Sequence, residues 1–131
     1  MYLIDANILL EVLYKREKWQ QAASFLERVK KGEETAYILH FTLHGISAIL
    51  GKPELVSKLI AEVSSWRGLQ VIATSLDEEL AAAEKAVNMG LDFDDGLQYY
   101  AAKKRGLTII SYDEDFDKTD IKKIEPNMHL P

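Results

Sequence analysis

Leu107-Thr108-Ile109-Ile110, running on through Ser111-Tyr112 to Asp113, is an apolar stretch too short for a helix and closed by a carboxylate. Tyr2-Leu3-Ile4-Asp5 has the same form. Short apolar runs of this kind, bounded by turn residues, read as strands buried on both faces. Ala36-Tyr37-Ile38-Leu39 and the segment from Leu69 to Ala73 are two more.

Helical spacing fills the intervals. Ile8, Leu9, Val12 and Leu13 share a stripe after the first strand. Trp19, Ala22, Ala23, Leu26 and Val29 continue at that spacing and close on Lys30-Lys31-Gly32, cations at the negative end of a helix and a glycine just beyond it. Phe41, Ile46, Ile49 and Leu50 mark a third helix before Gly51, and Pro53 opens a fourth whose Leu55, Leu59, Val63 and Trp66 share a face. Ser75 with Glu78 forms a capping box for a fifth, which is expected to pack through Leu76, Leu80, Ala83 and Val87 and to end at Gly90. Asp94-Asp95 opens a sixth, with Asp94 as the expected cap, Leu97, Tyr100 and Ala101 inward, and Lys103-Lys104-Arg105-Gly106 as its exit. A short strand over 122–124 and an irregular tail holding Pro126 and Pro131 complete the chain. Strands and helices alternating at these lengths predict one α/β domain over residues 1–131, a three-layer α/β/α sandwich on a central, mainly parallel sheet.

Composition narrows the chemistry. With 131 residues and 47% hydrophobic side chains, the chain can bury a core without staples, and it has no cysteine for disulfides, thiolate zinc or thiol nucleophiles. The first residues lack the pattern of a secretory signal and no apolar run reaches membrane-spanning length, which fits a cytoplasmic protein. A net charge of −5 opposes a general electrostatic grip on nucleic acid. It leaves room for a local site, because bound divalent cations reverse the potential inside a carboxylate cleft.

In open parallel sheets the ligand crevice lies beyond the carboxyl ends of the strands, where Asp5 and Asp113 fall; Asp95 reaches the same rim from a helix start. Carboxylates that converge without a cation repel one another, and a hard divalent ion removes that penalty. The three aspartates therefore predict a Mg2+ or Mn2+ site. Such an ion activates water for attack on phosphorus without a protein nucleophile. Polar side chains around such an ion orient its ligands by hydrogen bonds.

The segments Leu3-Ile4-Asp5-Ala6-Asn7, Leu91-Asp92-Phe93-Asp94-Asp95-Gly96-Leu97 and Ile109-Ile110-Ser111-Tyr112-Asp113-Glu114-Asp115-Phe116 together resemble the PIN-domain family, which includes the VapC-type toxins. The resemblance covers nearly the whole chain. It implies a metal-dependent endonuclease acting on RNA, a homodimer, and, for a toxin, a small antitoxin that inserts side chains into or beside the acidic cleft. It also implies Asp5, Asp95 and Asp113 as metal ligands, Asn7 and Ser111 as polar neighbours, and Asp115 as an auxiliary acid. One departure stands out. The family places a glutamate on the helix after the second strand, where this chain reads Phe41-Thr42-Leu43-His44-Gly45-Ile46, with Gly45 at or next to the acidic position. His44 is the nearest side chain able to ligate a metal or move a proton, and imidazole suits manganese better than magnesium. Glu11 and Asp94 are the carboxylates that would compensate.

Each of these residues has a plainer reading: helix caps for Asp5 and Asp94-Asp95, a turn residue for Asp113, packing for His40 and His44, solvated helix ends for the lysine clusters. Trp19, Trp66, Tyr99 and Tyr100 would stack on bases of a single-stranded substrate, but core packing suits them better; His129 has no evident chemistry. Two rival functions follow. One is a PIN-like module that binds RNA or protein after losing part of its metal site, favoured by the missing glutamate. The other is a phosphotransfer domain phosphorylated on Asp5, disfavoured because Asn7 stands where a second aspartate would be wanted.

Overall fold

The computed structural model describes residues 1–127. The strands are β1 (Tyr2–Ile4), β2 (Ala36–Leu39), β3 (Leu69–Ile72), β4 (Thr108–Ile110) and β5 (Lys123–Ile124). The helices are α1 (Ala6–Leu13), α2 (Trp19–Lys31), α3 (His40–Leu50), α4 (Pro53–Ser64), α5 (Leu76–Met89) and α6 (Phe93–Arg105), with a 3-10 turn over Glu114–Lys118. The sheet order is β3-β2-β1-β4-β5 and every pairing is parallel, so the mainly parallel sheet expected from sequence is wholly so.

Alternation along the strands builds two cores. Ile4, Ile38 and Ile110 face one side, where α1, α2, α3 and α4 supply Ile8, Phe25, Leu43, Leu59 and others. Their chain neighbours Leu3, Leu39 and Ile109 face the other, against Ala82 of α5, Leu97 and Ala101 of α6, and Phe116. Period-two side chains with cover on both faces explain why the strands read as continuous apolar runs. β1 lies at the centre, with Leu3 opposite Tyr37 on one side and Ile109 on the other. Asp5 and the segment beginning at Ser111 therefore leave the same edge of the sheet side by side, and the Asp5 N–H donates to the Ile110 carbonyl at 3.1 Å.

Three expectations are corrected. On α5 the buried residues are Ala82 and Ala86, while Leu76, Leu80 and Val87 are 85%, 61% and 81% exposed. The reason is Gly96: a Cβ there would lie 2.5 Å from the Ala86 Cβ, so α5 and α6 approach at a distance that only small residues allow. On α6 the cap is Asp92, not Asp94; its Oδ1 accepts from the Asp95 N–H at 2.8 Å, the usual third-residue bond of an N-cap. Tyr99, not Tyr100, is the buried tyrosine of that helix. Pro131 and His129 lie outside the described residues.

Candidate metal centre

Asp5 is the N-cap of α1, its Oδ1 accepting from the Ala6 N–H at 2.7 Å. Capping thus orients the carboxylate through one oxygen while the other is free to take further partners. The Asp5 Oδ2 accepts from the Ser111 hydroxyl at 2.7 Å and from the Asn7 amide at 3.3 Å. Ser111 is fully buried and central: its Oγ also accepts from Asn7 Nδ2 at 3.1 Å and from the Asp113 N–H at 2.9 Å. Asn7 closes the loop by accepting from the Tyr112 N–H at 3.1 Å. One buried network therefore fastens the start of α1 to the segment after β4, and sets the directions of Asp5 and Asp113. Asp113 in turn caps the 3-10 turn, its Oδ1 accepting from the Asp115 N–H at 2.9 Å.

Asp95 comes from the third residue of α6, where its own N–H is held by Asp92 and the adjacent Gly96 lets the helix seat against α5. Asp5 and Asp95 are each 4% exposed, and Asp113 is half-buried. One carboxylate oxygen from each of the three lies within 4.8 Å of the others. Burial, with repulsion from Asp113, Asp92, Asp5 and Asp94 added, pushes the Asp95 carboxyl up to about 8. Asp5 is pushed up to about 6, mainly by burial, with the Ser111 bond opposing and Asp94 and Asp113 adding to the rise. Asp94 is raised as well, by burial and then by Asp92 and Asp113. Three hard oxygen donors that ionise together only at a cost are relieved of it by one divalent cation. The residues present fit such an ion.

Not every expected residue joins them. Asp115 is exposed and contributes its backbone N–H to Asp113. Glu11 turns away to accept from the Lys18 N–H at 2.9 Å. Gly45 is exposed, and a Cβ added there would meet nothing within 4 Å. His44 packs against His40, with ring centroids 4.2 Å apart, in a cleft to which Leu43, Ile60 and Val71 contribute. Lys30, Lys103, Lys104 and Lys123 are all in ion pairs. Trp66 is buried, as the packing reading expects. Two features escaped the sequence. Gln98, fully buried one turn beyond Asp95, donates to the Thr42 hydroxyl at 2.9 Å and ties α6 to α3. A cavity of about 380 Å³ lies away from the carboxylates, between α1, α2 and α4, floored by Leu9, Leu26 and Leu59.

A fully parallel α/β/α sandwich with carboxylates gathered beyond its central strands has the build of a domain that holds a hard cation at the rim of its sheet. More narrowly, the chain belongs to the PIN domain family, whose sequence pattern matches residues 2–122. No curated protein matches it in sequence. Among solved structures it resembles Mycobacterium tuberculosis VapC20, a toxin described as cleaving the sarcin–ricin loop, at TM-score 0.78 and 14% identity, over 96% of this chain and 100% of that one. It is also similar to VapBC2 from Rickettsia felis bound to a promoter DNA fragment, at TM-score 0.73 and 16% identity, over 96% and 98% of the two chains. A toxin–antitoxin complex from Klebsiella pneumoniae follows at TM-score 0.70 and 20% identity, over 88% and 90%.

Proposed function

We propose that the protein is a metal-dependent endoribonuclease, the toxin of a toxin–antitoxin pair, acting in the cytoplasm on single-stranded RNA. The observation that carries this is the convergence of Asp5, Asp95 and Asp113 within 4.8 Å at the carboxyl edge of the sheet. Asp5, Asp95 and Asp113 are the residues to hold Mg2+ or Mn2+. When bound, such an ion supplies Lewis acidity and a water acidic enough to attack phosphorus near neutral pH.

The chain's own groups do the rest. Ser111 and Asn7 hold the Asp5 Oδ2 by hydrogen bonds, and Ser111 also takes the Asp113 N–H, so both carboxylates stay aimed when the site is loaded. Asp94, half-buried and electrostatically coupled to Asp5 and Asp113, is the group to accept a proton from attacking water or to orient it. Asp115, exposed beside Asp113, is the group to face a second ion or the outgoing strand. Neutralising the acidic cleft also removes its repulsion of the phosphate backbone, which an acidic protein otherwise cannot approach.

An antitoxin is the proposed partner, as in the toxin–antitoxin complex from Klebsiella pneumoniae. The apolar groove offers it a seat. Leu9, Val12 and Leu13 of α1, the helix that Asp5 caps, line that groove, so a segment seated there touches the helix that carries a candidate ligand. A homodimer is the proposed assembly. Among the described residues no helix is long and apolar enough to cross a membrane.

Gly45 favours a second reading: the open, uncharged surface at the position of the family's glutamate fits a module that binds RNA but cuts it weakly. Purified protein incubated with a generic single-stranded RNA and Mn2+ separates the two. Cleavage that disappears with chelator and in Asp95→Asn supports the nuclease; equal behaviour of wild type and Asp95→Asn supports the binding module.

A further inference from the structure

His40 and His44 stand one turn apart on α3, four residues apart in sequence and so on one face, and both are exposed. Their ring centroids are 4.2 Å apart with the planes inclined at 46°. They rim a cleft of about 320 Å³ with an apolar floor that includes Leu43 and Val63. Its other polar side chains are Ser47 and Ser64, and both hydroxyls are turned back on their own helices, donating to the Leu43 carbonyl at 2.8 Å and the Ile60 carbonyl at 2.6 Å. The two imidazoles are therefore the groups left to meet a ligand, and among the described residues no carboxylate lines the cleft.

Neutral imidazoles paired at this spacing are donors for borderline ions. Metal–nitrogen bonds of about 2.0–2.1 Å at tetrahedral to right angles place the ring centres of two imidazoles on one ion about 4.5–5 Å apart. The pair needs to open by less than about 1 Å, a small side-chain rotation on an exposed helix face. We propose that His40 and His44 form a second metal site, bidentate and open to water, for an imidazole-preferring ion such as Zn2+, Ni2+ or Cu2+. The site is separate from the carboxylates, and the two sort ions by donor: oxygen for Mg2+ and Mn2+, nitrogen for the later transition metals.

The test uses the full chain, free of any polyhistidine tag, in excess Mg2+. Thermal unfolding is followed as Ni2+ is added, and Cu2+ is examined by electron paramagnetic resonance. An ion bound only by the folded state raises the melting temperature. Wild type, Asp95→Asn and His129→Gln are expected to show the Ni2+-dependent rise and nitrogen coupling to Cu2+; His40→Gln and His44→Gln, with unchanged circular dichroism, are expected to lose both. No rise in wild type, a rise that persists in His44→Gln, or a rise lost in Asp95→Asn or His129→Gln overturns the proposal. Failure of RNA cleavage has no bearing on it, because Asp95→Asn keeps the histidine pair.

Discussion

Asp95 sits where burial and four neighbouring carboxylates all oppose its ionisation. Its carboxyl is pushed to about 8 and that of Asp5 to about 6, both above their unfolded values near 3.8. The folded, metal-free protein therefore holds more protons than the unfolded chain between those limits, and its stability is greatest at the acid end and declines as pH rises from about 4 to about 8. Melting temperatures measured with chelator across that range are expected to fall, and saturating Mn2+ is expected to flatten the slope. Asp95→Asn removes one of the crowded charges, so at pH 8 without metal it is expected to melt higher than wild type while losing cleavage, a trade between activity and stability common at such sites. Ser111→Ala is expected to destabilise by about 1–3 kcal/mol, because Asn7 and the Asp113 N–H lose a buried acceptor. Calorimetry should show about 10–100-fold weaker Mn2+ binding in the same variant, as for other residues that orient ligands. At this scale the convergence of Asp5, Asp95 and Asp113 is legible because two of them close apolar strands and the third opens a helix at the same rim. The hydrogen bonds of Ser111 were legible as a role and not as geometry, since they depend on the β1–β4 register.

Helix α5 shows where periodicity misleads. Leu76, Leu80, Ala83 and Val87 satisfy the spacing of a buried stripe, yet the buried face carries Ala82 and Ala86. Hydrophobicity scales rank leucine above alanine, whereas close helix contact selects for small volume, and the constraint sits in a different helix at Gly96. That position also adjoins Asp95, so fold and site meet there. Gly96→Ala is expected to force α5 and α6 apart, at a cost of about 1–3 kcal/mol in urea unfolding, and to weaken Mn2+ binding through displaced Asp95. The cap of α6 is ambiguous in sequence for a related reason: Asp92, Asp94 and Asp95 are all competent caps by type, and only the helix start shows that Asp92 holds the Asp95 N–H. The capping box of Ser75 and Glu78, by contrast, depends on residues three apart, and both of its bonds are formed.

The layered architecture was legible from alternation alone, because strands covered on both faces must be apolar throughout. The groove between α1, α2 and α4 was not, since it is a gap between helices that each look ordinary. Strand order follows from no local pattern either: β1 lies between β2 and β4 through contacts distant in sequence. Such topologies fold slowly, because chain entropy must be lost before distant pairings form. A chain ending at Gly106 lacks β4, β5, Ser111 and Asp113, and is expected to show no cooperative melting by circular dichroism.

The central place of β1 has a consequence for the protein's birth on the ribosome. β1 stays unpaired on one flank until synthesis has passed β4, about a hundred residues later. Asp5 meets Asp113 only after that late strand docks. A chain folded only as far as α6 therefore lacks one of the three carboxylates, and the acidic cluster is complete only once β4 has docked and brought Asp113 with it.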